Sequence, residues 1–234
     1  QGGDEYTDAD CIADGGQPMP DGTCCSVGII DCNGDCGGED TSCEVVWGGV
    51  SLSIENVDTN AGTLDVYMLN TSSCDYCTNP NYLTQGLCES TGEQWVTNDG
   101  SIADESACTD LGGTWFDGVV GGFQFELDAD PAIAVSGGAG GLAAAAGFNV
   151  SGIGGSLALG VSFSGATIPA STTGVPELLT TISFTGYDSG NICFGADTGG
   201  AGNTLISASD ASYVMAQWGA CYCGDGIVAD DCGV

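Results

Sequence analysis

Two runs of the chain carry the clearest alternation of apolar and polar positions. In Val119–Ser136 (VVGGFQFELDADPAIAVS), Phe123, Phe125 and Leu127 alternate with Gln124, Glu126 and Asp128, the period of a strand with one face in a core. In Gly62–Asn70 (GTLDVYMLN), Leu64, Val66, Tyr67, Met68 and Leu69 combine alternation with continuous apolar character, which predicts a strand buried on both faces. Shorter runs lie at Val45–Trp47, Val50–Val57, Phe148–Val150, Ser156–Ser164, Ala166–Pro169, Leu178–Tyr187, Ile192–Phe194, Thr204–Ala208 and Tyr213–Trp218, separated by Gly, Asp, Asn and Ser turns. No segment has convincing helical spacing; Gly141–Gly147 has room for a turn or two. The pattern predicts an all-β chain, a jelly-roll-like sandwich of roughly nine strands spanning residues 44–220.

Cysteine-rich material interrupts and flanks these strands. Residues 1–43 hold Cys11, Cys24, Cys25, Cys32, Cys36 and Cys43 with little apolar periodicity, as expected of a loop-rich segment stapled by disulfides. Residues 71–118 read as an insertion in a hairpin loop, closed by Cys74, Cys77, Cys88 and Cys108. It contains a duplication: Cys88-Glu-Ser-Thr-Gly92-Glu-Gln-Trp95 matches Cys108-Thr-Asp-Leu-Gly112-Gly-Thr-Trp115. Two copies are too few for a solenoid. The expectation is a disulfide-closed knob with the two tryptophans as its core. Cys193 lies in the sandwich, and Cys221, Cys223 and Cys232 lie in a C-terminal tail, residues 221–234.

Three strand sequences, GTLDVYM, VGGFQFELDADPAI and LLTTISFTGY (Leu178–Tyr187), in that order, resemble the cohesin-like β-sandwich modules of secreted bacterial proteins. The likeness covers Val45–Val214 without the insertion. It implies a cohesin-like fold, and a role in gripping another protein, as cohesins grip dockerins. Asp31–Gly38 (DCNGDCGG) resembles a short Cys/Asp/Gly repeat of large secreted bacterial proteins, and Asp225–Val234 (DGIVADDCGV) resembles its opening half. With a first residue Gln1 and no signal-type apolar stretch, the chain reads as a mature one stripped of a signal peptide, and the half repeat at its end points to trimming or to a longer parent.

Charge narrows the function classes. The 234 residues include 32 Asp and Glu and no Lys, Arg or His. No side-chain salt bridge can form within the chain or between identical copies. Nucleic acid is excluded as a partner, because neutralising phosphates takes Lys and Arg. Insertion into a membrane is not expected either, because no apolar run reaches about 18 residues. Fourteen cysteines, an even number, point to an oxidising, extracellular or cell-surface setting.

Several motifs touch on chemistry. Gly138-Ala-Gly140-Gly-Leu-Ala143 mimics a dinucleotide fingerprint, but that site needs a real helix and an acid about 20 residues on. An inter-strand loop is the better reading. Asp188-Ser-Gly190 and Asp197-Thr-Gly199 match the aspartic-protease signature, whose mechanism needs two lobes; as turns they need only Asp first and Gly last. Glu126 and Asp128 project from one strand face about 7 Å apart, a spacing compatible with glycosidase carboxylates but equally with any acidic solvent face. Cys74-Asp-Tyr-Cys77 has redox or zinc spacing, with disulfides preferred.

Calcium is the better metal. Asp31, Asn33, Asp35 and Glu39 place oxygen donors at alternate positions, as calcium loops do, although Cys36 stands where an EF-hand has glycine. Asp8, Asp10 and Asp14 form a second candidate set. Asn70-Thr-Ser and Asn149-Val-Ser are glycosylation sequons by pattern.

With no His, Lys or Arg and no activated nucleophile, catalysis is not expected. Two non-enzymatic roles follow. The first is a subunit that assembles with copies of itself into an extracellular filament or lattice. Strands such as Ser156–Ser164 and Leu178–Phe184 would accept a neighbouring strand, with apolar or cation-bridged contacts. The alternative is a cohesin-like module that binds a surface protein or glycan.

Overall fold

Alternation becomes burial in the computed structural model, which describes residues 47–224 and the short strands Gln17–Pro18, Cys24–Cys25 and Ile227–Val228. By its contacts the chain forms two units, Gln1–Val46 and Trp47–Val234. In the first, β1 (Gln17–Pro18) and β2 (Cys24–Cys25) pair antiparallel, Gln17 opposite Cys25.

The second unit begins with β3 (Gly49–Asp58) and β4 (Thr63–Thr71), joined by a turn in which Gly62 N–H donates to the Asp58 carbonyl at 2.8 Å. The insert follows as β5 (Ser73–Cys77), β6 (Trp95–Asp99) and β7 (Thr114–Phe116). The sandwich resumes with β8 (Val120–Ala129), β9 (Ala134–Ala139), β10 (Asn149–Ile153), β11 (Leu157–Val161) and β12 (Glu177–Thr185). Last come β13 (Ile192–Phe194), β14 (Leu205–Ala208), β15 (Tyr213–Val214), β16 (Ala216–Trp218), β17 (Tyr222–Cys223) and β18 (Ile227–Val228).

The protein is all-β, a disulfide-rich β-sandwich. Thirteen strands form one continuous hydrogen-bonded sheet in the order β16-β3-β4-β12-β9-β10-β11-β8-β13-β17-β18, with β14 also on β8 and β15 on β14. One core fills it. Phe123, Phe125 and Leu127 of β8 are buried, and so are Leu64, Val66 and Met68 of β4, Ile182 of β12 and Ile206 of β14. Phe123 stacks near Phe148, and Phe125 meets Phe194 edge-on. On β11, Gly160 sits opposite Phe123, so closely that an added Cβ would collide with the ring.

Burial corrects the expectation for β4. Its pattern is strict alternation, with Asp65, Tyr67 and Leu69 only half-buried. Tyr67 and Leu69 face outward beside Ser53 and Ser51 of β3, which cover them incompletely.

The edges are disposed differently from expectation too. β11 lies between β10 and β8, and β12 between β4 and β9. The apolar runs Ser156–Ser164 and Leu178–Phe184 therefore supply interior strands, whose backbone groups are already paired on both sides.

Residues 213–218 close the circuit. β15 pairs with β14 antiparallel, Ser207 opposite Tyr213, and after Met215 the same chain pairs with β3 in parallel, Ala216 opposite Val50. One short segment, β15 and β16 in succession, thus ties β14 to β3. Asp197 pins it, accepting Tyr213 O–H at 2.9 Å and Trp218 Nε1–H at 3.0 Å. The disulfide Cys193–Cys221 holds the chain just beyond. Among the described residues no strand pairs with β3 past Leu52 on this side; a register shift between Glu55 and Asp58 breaks its ladder with β4, and the acids themselves discourage pairing.

Among the described residues three short helices appear where at most one was expected. Gly141–Ala145 falls where a turn or two had room; Gln85–Ser90 and Glu105–Asp110 lie in the insert. Both insert helices are shorter than a hydrophobic period can register. Their ends are legible, however: Asp104 caps the second by accepting from Ala107 N–H at 3.0 Å, and Gly92 and Gly112 take positive φ just past each helix.

Candidate functional site

The duplication builds the insert. In each copy a helix carries the cysteine, the glycine turns the chain with φ of +84° (Gly92) or +70° (Gly112), and the tryptophan enters a strand. The two strands, β6 and β7, flank β5 on either side. Cys77 of β5 bonds to Cys88 and stands opposite Trp95; Cys74 bonds to Cys108 and stands opposite Trp115. One unit of helix, glycine and tryptophan is therefore applied twice, once to each edge of a central strand.

The core of this knob is the sulfur, not the indoles. All four cysteines are buried, whereas both tryptophans are half-exposed, contrary to the expectation that they would form its centre. Both sulfurs of the Cys74-x2-Cys77 pair are consumed in separate disulfides, which leaves neither a dithiol nor thiolates for zinc.

Two asparagines fasten the knob to the sandwich. Asn70, at the end of β4, donates from Nδ2 to the carbonyls of Gly118 at 2.7 Å and Pro169 at 2.8 Å, closing the neck where the insert leaves and returns. It is 1% exposed, so the Asn70 sequon offers no surface acceptor; its buried Nδ2 is already engaged. Asn149, by contrast, is exposed.

Asn98, with φ of +52°, is the second fastener. Its carbonyl accepts Gly48 N–H at 2.7 Å, and its Nδ2 donates to the Met215 carbonyl at 2.9 Å, in the middle of the lacing strand. No sequence motif marks either role.

Between the insert and the β14–β15 hairpin lies a cavity of about 250 Å³. Thr114, Trp115 and Phe116 of β7 line it, as do Tyr213 and Met215. Four carboxylates, Asp75, Glu105, Asp117 and Asp210, line it as well. They differ in character. Asp75 Oδ1 accepts Asn98 N–H at 2.6 Å, yet burial outweighs this bond and holds its carboxyl above the ordinary carboxylate range. Asp210 is held below that range by the Ser212 hydroxyl and amide. Tyr213 is pushed well above an ordinary phenol by burial first, then by its bond to Asp197 and the charges of Asp197 and Asp75.

The other candidates fall elsewhere. Asp197-Thr-Gly199 is a turn closed by Gly199 N–H on Asp197 Oδ1 at 2.9 Å, with the further task of pinning Tyr213 and Trp218. Asp188 is exposed. Glu126 and Asp128 share the outer face of β8, where Glu126 accepts the Ser156 hydroxyl at 3.0 Å. The Gly138–Ala143 run bends into a five-residue helix against β12, with Gly141 at φ +64° pressed on the Leu178 and Leu179 carbonyls.

The calcium candidates Asp8, Asp10, Asp14, Asp31, Asn33, Asp35 and Glu39 lie outside the described residues, as do the side chains of Cys11, Cys24, Cys25, Cys32, Cys36, Cys43 and Cys232. Cys223 is disulfide-bonded, and the described cysteines are all oxidised, which fits an oxidising, extracellular-type environment. No helix among the described residues is long and apolar enough to cross a membrane. No protein family, no curated protein and no solved structure matches the chain.

Proposed function

We propose that the chain is a non-enzymatic binding module of an extracellular protein, a cohesin-like sandwich that presents its insert to a partner protein. The observation that carries this reading is the lacing segment, residues 213–218, which pairs with β14 on one side and with Val50–Leu52 of β3 on the other and so occupies backbone that a neighbouring strand would take. A closed sandwich with a rigid, disulfide-built projection suits recognition better than strand exchange.

Self-assembly into a filament or lattice is the second reading. It draws on exposed apolar side chains, Phe163 at 91% and Leu83 at 63%, which would make salt-independent contacts between copies. In that reading calcium held by the N-terminal acids would bridge neighbours, because the chain has no cationic side chain of its own.

Negative-stain microscopy of the native secreted protein, with and without EDTA, separates the two. Monodisperse particles in both conditions are expected. Regular filaments would overturn the binding-module reading, and their loss in EDTA would put divalent ions in the joints.

A further inference from the structure

Strand β11 is built the wrong way round for a solvated sheet face. Its inner positions, Ala158 and Gly160, are small and buried, while Leu157, Leu159 and Val161 alternate with them on the outer face and are half-buried. The small inner residues have a cause, since the Phe123 ring fills the space beside Gly160. Nothing on that side calls for two leucines and a valine on the other. The outer positions of β12, by contrast, are Thr181, Ser183 and Thr185, and those of β8 include Gln124, Glu126 and Asp128. Next to β11, Ile153 of β10 stands opposite Leu157 and is 43% exposed. Charge is missing from the same place. No Asp or Glu occurs from Pro131 to Pro176, the stretch that supplies β9, β10 and β11, although the chain carries 32 of them. Glu126, opposite Leu157, and Asp65, opposite Thr181, mark the borders. We propose that this outer face of β9, β10 and β11 docks a second copy of the chain, sheet face to sheet face about a twofold axis.

Charge selects the occupant. Each copy has a net charge of −32 and no Lys, Arg or His, so two copies attract each other by side-chain charge nowhere and repel wherever acids meet. A face without acids is where they can approach, and its aliphatic side chains are what would hold them. A foreign partner that selects this chain by charge would bring cations, and this face has no carboxylate to receive them. A twofold contact sets one patch against itself, so Leu157 and Leu159 of each copy meet the same apolar surface on the other. Backbone pairing has no part in it: β11 is already bonded to β10 and β8, so the two sheets would stack about 10 Å apart. Such a contact closes at two copies and does not propagate. The inference goes beyond the binding-module reading and does not rest on it.

Sedimentation equilibrium of the full chain, with EDTA and over a series of salt concentrations, tests the proposal. A monomer–dimer equilibrium is expected, with a Kd of about 1–100 μM as suits a small interface. It should be the same without EDTA and tighten as salt screens the repulsion between copies. Ser151 lies on the outer face opposite Leu159, so Ser151→Asp adds a carboxylate there without removing apolar surface. It should weaken the dimer at least about tenfold. Leu159→Ser should weaken it about tenfold as well, by removing buried aliphatic surface. Leu83→Ser, which removes a 63%-exposed leucine of the insert, should leave the equilibrium unchanged. Ser151 is already polar, so its variant keeps the test decisive if Leu159→Ser fails to fold. A chain that is still monomeric about tenfold above that range would leave the face to a different partner and overturn the inference. A dimer indifferent to Ser151→Asp, a dimer lost in EDTA or with rising salt, or growth beyond two copies would overturn it too. Failure of the dimer leaves the binding-module reading standing, whereas filaments in the microscope defeat that reading.

Discussion

The sandwich and the insert stand side by side in one chain and are held together by different chemistry. In the sandwich, β8 buries Phe123, Phe125 and Leu127 at every second residue, and the core is built from side chains the sequence spaces out in advance. The insert has too few apolar residues for such a core. Its fully buried side chains include Cys74, Cys77, Cys88 and Cys108, and its regularity comes from repeating one short unit on both edges of β5. A region with a hydrophobic core can leave its surface to vary, whereas one closed by disulfides can expose its tryptophans. The insert therefore leaves its two tryptophans half-exposed, while the sandwich buries Phe123 and Phe125.

The sharpest way to break this contrast is to damage each core separately. Phe125→Ala should cost the sandwich about 3–5 kcal/mol, read as a lower urea midpoint. Opening the 34-residue separation of Cys74–Cys108 with a paired serine substitution should cost about 3–4 kcal/mol on the chain-entropy account. That loss should be confined to the insert. Chymotrypsin is the protease to use, since trypsin has no site in this chain. New cuts are expected around Tyr82 and Trp95 while β8 stays protected; cuts throughout would show that the insert and sandwich fold as one.

A smaller effect probes packing at a single position. Gly160→Ala forces a methyl group against Phe123 and should cost about 1–3 kcal/mol, measurable as a lowered thermal midpoint. An unchanged midpoint would mean that the ring moves aside freely and that β11 is less tightly fitted than described.

The smallest effects are pH-dependent. Tyr213 has a folded pKa above its ordinary 10.0, so the folded state keeps its proton longer than the unfolded chain. Its contribution is present below pH 10 and is lost as pH rises from there toward the folded pKa. The urea midpoint of Tyr213→Phe should fall less steeply than that of the parent above pH 10.

Asp75 has a folded pKa above 3.8, so its charge destabilises the fold at neutral pH, and this penalty disappears as pH falls below 3.8. Asp75→Asn should raise the melting temperature at pH 7 and not at pH 3.

The strands were legible because burial on one face imposes a period of two, and β3, β4, β8, β12 and β14 all fall where that period occurs. The duplication in the insert was equally visible as a spacing. Which cysteines pair was not, because spacing says nothing of which edge of β5 each copy takes. The helices Gln85–Ser90 and Glu105–Asp110 escaped for their length, although Asp104 and Gly112 marked one of them. The cavity was invisible. Its walls come from residues 75, 105, 115 and 213, which no local pattern joins. Asn70 and Asn98 act through tertiary hydrogen bonds that a sequence motif does not record, and in Asn70 the sequon pointed the wrong way.

The account turns on the lacing strand, and amide hydrogen exchange of the native protein tests it most directly. With residues 216–218 paired to β3 and Gly219 N–H bonded to the Leu52 carbonyl at 2.8 Å, these amides should exchange as slowly as those of β8. Exchange at the rate of an exposed loop would mean that the strand opens, leaving β3 and β14 as free edges, and would contradict the closed binding module in favour of strand addition between copies.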